Sequence, residues 1–231
     1  VGLGALQVRK GNIKTLLFMG TPFVFNDMAM SLQPLVDAMF LSKLAPEEVV
    51  GWYAVTRRLI RVLILPASAL IGSLYPTLSR LWVENKSAYS RTLVGSLNGV
   101  ALIAAPAALG CALYPEIGVA IFGGKEFAPA EDNLRVMSVF LFLVYFSMPL
   151  QTAVMAAGRQ RLWCIIQCLC IVVSVALNPV LVPWFQENTG NGGIGLCVAA
   201  LVSESLVVIC GLSILPRGVL DRSVLRTVAL A

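Results

Sequence analysis

Histidine is absent from the sequence, and charged residues make up only 13% of it. The commonest general base and metal ligand is therefore missing. The six cysteines, Cys111, Cys164, Cys168, Cys170, Cys197 and Cys210, all lie in apolar runs with no carboxylate beside them. They read as small buried hydrophobes, not as a metal site or a disulfide framework. A soluble domain of this size carries about twice this charge fraction. No ten-residue segments alternate in hydrophobicity, as a membrane β-barrel would require. No connection is long enough to be a soluble domain, and no strong repeat is visible. The first apolar run is no signal peptide: it is too long, it holds Asp27 and Asp37, and no small-residue cleavage pattern closes it.

What is present is hydrophobic, 58% of 231 residues, in runs near or above the roughly twenty residues a bilayer needs. The chain reads as an all-α, polytopic membrane protein with spans at 15–41, 49–81, 93–113, 134–157, 162–185 and 194–215. The third is read as continuing through 117–122. These six form one membrane unit over 15–216, between a cytoplasmic linker at 1–14 and a cytoplasmic segment at 217–231 that leads into a further, truncated helix. Pro22, Pro34, Pro66, Pro106, Pro149 and Pro179 interrupt all but the last span. Broken helices suit transporters, though proline is also common in ordinary membrane bundles.

The second span carries the most unusual pattern. Trp52 and Tyr53 precede Arg57, Arg58 and Arg61, and about twenty mostly apolar residues follow. The three arginines fall within about 100° of one helix face, which extends through Ala54, Ser68, Gly72, Tyr75 and Ser79. Two readings stay open. The arginines snorkel to lipid headgroups, or they form an anion-binding stripe in a transport cavity. In the first span Asn26, Gln33 and Asp37 lie within about 40° of arc, extended by Asp27 and Ser31. Asp27, near mid-membrane, suits an ion pair, a cation or a proton, or a plain interhelical contact. Glu204, about ten residues into the last span, has the same alternatives.

Basic residues collect on one side: Arg9, Lys10 and Lys14, then Arg80, Lys86 and Arg91, then Arg159 and Arg161, then Arg217, Arg222 and Arg226. That side is expected to be cytoplasmic, with both ends of the chain inside. The net charge of +5 is thus a matter of topology and points to no nucleic-acid partner.

Several segments in order resemble one family. They are Val50-Gly-Trp-Tyr-Ala-Val-Thr-Arg-Arg-Leu59, Tyr75-Pro-Thr-Leu-Ser-Arg-Leu81, Ile121-Phe-Gly-Gly-Lys-Glu-Phe-Ala-Pro-Ala130, Ala156-Ala-Gly-Arg-Gln160, Leu177-Asn-Pro-Val-Leu-Val-Pro183 and the run from Gly193 to Glu204. The chain resembles the lipid-linked oligosaccharide flippases, or polysaccharide biosynthesis proteins, of the multidrug/oligosaccharidyl-lipid/polysaccharide exporter superfamily. The resemblance implies a fourteen-helix transporter of two six-helix lobes plus two helices, of which this chain is the second lobe. It implies no enzyme and no cofactor, and leaves coupling to Na⁺ or H⁺ open. The implied cargo is a polyprenyl-diphosphate-linked glycan carried across the cytoplasmic membrane, with membrane lipids and the N-terminal lobe as the other partners. It places a diphosphate-binding arginine at Arg58, with Arg57 and Arg61 departing from the commoner single arginine. Asp27, Asn26, Asp37 and Glu204 are the expected ion-coupling or cavity polar groups. A multidrug antiporter of the same superfamily is the nearest alternative, but would favour carboxylates over arginines. A membrane-embedded glycan polymerase or ligase is a poorer fit, because it needs a larger loop or an acid–base cluster.

Overall fold

The computed structural model describes residues 21, 24, 28 and 31–215, and no strand occurs among them. The first described helix, α1, covers 31–44. The other long helices are α2 (Glu47–Glu84), α3 (Lys86–Leu113), α5 (Ala130–Ala156), α6 (Gln160–Thr189) and α7 (Gly193–Ile214), with a short α4 (Pro115–Phe122) before α5. Five of them are long and apolar enough to cross a membrane: α2, α3, α5, α6 and α7. Much of the expected first span falls outside the described residues, and so do the 1–14 linker and the 217–231 segment.

α2 starts after Pro46 with Glu47 and Glu48 in its first turn, where the helix dipole favours negative charge. Its 38 residues reach about 57 Å, nearly twice the hydrocarbon thickness of a bilayer. Pro66 and Pro76 sit inside it without ending it. One turn before Pro66, the Leu63 carbonyl accepts a hydrogen bond from Tyr145 Oη, which ties α2 to α5. A single residue, Asn85, turns the chain into α3, and its side chain accepts from the Ala88 N–H at 2.9 Å as the cap.

The third span does not run on through 117–122. It stops at Leu113, Tyr114 adopts φ −130° and ψ 52°, and Pro115 opens α4 as a separate helix. The proline ring drives the residue before it out of the helical region. Gly124, at φ 88°, then leads into a 3₁₀ turn, Lys125–Phe127, before α5.

α5 is the axis of the fold. It packs against α2, α3 and α7, and α6 pairs with α7. The α6–α7 approach is close enough that a Cβ on Gly195 would lie 2.6 Å from the Leu181 carbonyl oxygen, as at small-residue crossings of membrane helices. Two apolar clusters stack along α5. One gathers Val49, Leu59, Leu134, Leu141, Val182 and Leu196. The other gathers Leu78, Tyr89, Leu93, Leu150, Trp163 and Val207. Outward-facing residues such as Leu102, Ile121, Val172, Val180 and Ile209 are exposed and apolar, as a lipid-facing surface requires.

The second cluster joins the α2–α3 turn to the α5–α6 turn, and Tyr89 Oη donates to the Ala153 carbonyl at 2.7 Å. Arg80, Lys86, Arg91, Arg159 and Arg161 therefore occupy one end of the bundle. Glu47, Glu48, Glu126, Glu131, Asp132 and Glu187 belong to the other.

A candidate substrate cavity

Between the two apolar clusters lies a cavity of about 460 Å³, walled largely by apolar side chains such as Ile60, Ile64, Phe140, Val144 and Val207, with polar groups set among them. α2 supplies Arg57, Arg61 and Ser68 to it, and α1 supplies Gln33. The facing wall comes from α5 with Ser147 and Gln151, α6 with Trp163 and Gln167, and α7 with Ser203 and Glu204. Its volume is within the roughly 300–1,000 Å³ typical of small-molecule sites.

Arg57 and Arg61 are one helical turn apart, so their guanidinium groups enter the cavity from one face. Arg57 is half-buried and Arg61 exposed. The Arg57 guanidinium stands 5.9 Å from the centroid of the Tyr53 ring, within cation–π range. Among the described residues neither arginine forms an ion pair. The ion pairs found there, Arg80–Glu84 and Arg135–Asp132, are both on the surface. Glu204 is the one carboxylate among the described lining residues, so two positive charges face one negative.

Arg58 is exposed and is not among the lining residues. One residue is about 100° of rotation on a helix, enough to carry it off the cavity face. Ser68 of the expected small-residue stripe lines the cavity, whereas Ala54, Gly72 and Tyr75 are exposed elsewhere on α2.

Asp37 is not a lining residue. It is 2% exposed, and its Oδ1 accepts from Asn178 Nδ2 at 3.0 Å, tying α1 to α6. Asn178 is fully buried, and its own Oδ1 has no partner among the described residues. Tyr53 is buried beside Asp37, and Arg57 acts electrostatically on both. Carboxylate and amide oxygens, such as those of Asp37 and Asn178, are ligand types that hard cations take. Asn26 and Asp27 lie outside the described residues.

Sequence reasoning missed the α6 wall. Trp163, Gln167, Ser174 and Asn178 are all buried on one face of α6. Their spacings of four, seven and four put them on one helical stripe. That polar stripe inside an apolar span was the available signal. Ser203, on α7, meets it by donating to the Cys170 carbonyl at 2.7 Å.

A family profile described as MatE matches residues 22–180, from the first span into α6. No curated protein and no solved structure matches the chain. The chain thus belongs to the MatE family, whose members are transporters of the multidrug/oligosaccharidyl-lipid/polysaccharide exporter superfamily, and it is a multi-pass membrane protein.

Proposed function

We propose that the chain forms part of a flippase for polyprenyl-diphosphate-linked oligosaccharides of the cytoplasmic membrane, and that Arg57 and Arg61 hold the diphosphate. The supporting observation is the pair of guanidiniums, one turn apart, facing a cavity in the membrane body with no described carboxylate bonded to either. Arginine's fork of donors matches phosphate oxygens two at a time, which lysine's point charge does not. Transport by this reading needs no covalent step. The cavity wall of this chain and a second lobe rock around the bound headgroup, as in transporters built from repeats. Asp37, with Asn178 and Tyr53 around it, is the proposed coupling-ion site, and Asp27 and Asn26 remain proposed as further polar groups of the first span.

Glu204 favours a second reading, a multidrug or cation antiporter, since a cavity carboxylate suits a cationic cargo. The two-to-one excess of arginine in the described lining weighs against it.

Complementation of a flippase-deficient strain by the full-length protein tests the first reading. Arg57→Ala and Arg61→Ala together abolish complementation and cause lipid-linked precursor to build up. Arg58→Ala and the surface variant Arg80→Ala complement. Full complementation by the Arg57/Arg61 double variant at normal expression, with no build-up, leaves the arginines as interfacial anchors.

A further inference from the structure

The two walls of the cavity differ in hydrogen-bonding chemistry. The α2 wall offers the guanidinium donors of Arg57 and Arg61, with a single hydroxyl, Ser68, beside them. Set among Phe140, Val144, Met148 and Val207, the opposite wall offers both donors and acceptors: the amides of Gln151 and Gln167 do both, the Glu204 carboxylate accepts and the Trp163 indole donates. Phosphate oxygens accept but do not donate, so the second wall is poorly matched to them. Hydroxyls and acetamido groups do both, and match it.

Trp163 supplies an independent sign of a ligand. It is 1% exposed, and its Nε1 has no partner among the described residues. Its six-membered ring is set against Gly211, where a Cβ would lie 3.0 Å from Cζ3. That places the N–H on the opposite edge of an indole that borders the cavity. Buried donors in native structures are almost always satisfied. Gln167, one turn further along α6, is 7% exposed and borders the same space. Neither side chain is needed to hold the diphosphate, and both lie on the polar stripe of α6 that continues through Ser174 and Asn178.

We infer that the α5–α6–α7 wall is a carbohydrate subsite in which Trp163, Gln167, Gln151 and Glu204 hydrogen-bond the hydroxyl and amide groups of the sugar next to the diphosphate. The inference rests on the flippase reading and adds to it the residues that read the glycan. Glu204 then acts as a hydroxyl acceptor, and the excess of arginine on the facing wall keeps the cavity unfavourable to cations.

The test uses purified full-length protein in nanodiscs and three probes. These are undecaprenyl diphosphate, the same lipid carrying one N-acetylglucosamine, and tetraphenylphosphonium. The unaltered protein binds the sugar-bearing lipid about tenfold more tightly than the bare diphosphate. Gln167→Leu and Trp163→Phe each shrink that ratio about three- to tenfold, the size of one or two neutral hydrogen bonds. Gln151→Leu, at a half-buried position, does the same and decides the matter if the α6 variants do not fold. Equal binding of the two lipids by the unaltered protein, or parallel loss of both in all folded variants, overturns the subsite while leaving the diphosphate clamp standing. Binding of tetraphenylphosphonium but of neither lipid overturns the flippase reading itself.

Discussion

Arg57 and Arg58 are adjacent, yet one borders the cavity and the other does not. Arg57→Lys keeps the charge but loses the two-pronged donor geometry, so it should lower transport by about tenfold, short of the loss in Arg57→Ala; initial rates in vesicles check this. Asp37 and Asn178 make a second residue-scale prediction. Their hydrogen bond is fully buried and joins positions 141 residues apart. A double-mutant cycle with Asp37→Ala and Asn178→Ala should give a coupling energy of about 0.6 kcal/mol and at most about 1.7 kcal/mol, the average and maximum for polar contacts between membrane helices, where the unfolded state also finds partners. Thermal unfolding in detergent measures it, and additive single effects would show that the bond contributes nothing. At this scale the sequence was informative about residue type and less so about direction. Three arginines within about 100° of arc were visible, but which of them meets the cavity depends on where α5 and α7 pack. Asp37 appeared as a polar residue on the first span. Its partner on α6 could not be read from helical periodicity, which relates only residues on one helix.

The pairing of α6 with α7 depends on backbone contact at Gly195. A methyl there would meet the Leu181 carbonyl and the Val182 amide nitrogen, both main-chain atoms that cannot swing aside. Gly195→Ala should destabilise the bundle by about 1–3 kcal/mol, as overpacking does. Gly99→Ala on α3 has nothing within 4 Å of the new methyl and should be neutral or stabilising by up to about 1 kcal/mol. Melting temperatures of the two variants, measured side by side, decide it. Equal shifts would mean that the α6–α7 approach is not the constraint. The helices themselves were legible because each apolar run is long enough to span a bilayer. The break between α3 and α4 was not, because hydrophobicity runs across it and the stop is a local steric effect of Pro115. The α6 polar face escaped attention for a different reason. Neutral amides and an indole weigh little beside arginines and aspartates when charge is used as the guide.

Across the whole molecule, charge sorts to the two ends. Arg80, Lys86, Arg91, Arg159 and Arg161 crowd one end, and Arg159 donates to the Ile214 carbonyl at 2.7 Å, near the C-terminal end of α7, where positive charge is favoured. With the basic end cytoplasmic, an impermeant thiol reagent applied to intact cells should label Ala128→Cys and not Lys86→Cys in a cysteine-free background. The reverse pattern would invert the orientation. The cavity sits between these ends with its arginines on one wall, and the central claim is that this wall holds a diphosphate. Two charged hydrogen-bonding groups contribute about 1.5–3 kcal/mol each. The decisive measurement is the affinity of the full-length protein for undecaprenyl diphosphate in nanodiscs, compared between two variants of equal charge change. Arg57→Ala with Arg61→Ala should weaken binding by more than about 100-fold, whereas Arg58→Ala with Arg80→Ala should weaken it less than about threefold, the residue of long-range attraction screened by salt. Equal weakening in the two variants would contradict the account, because binding would then follow total charge and not the cavity.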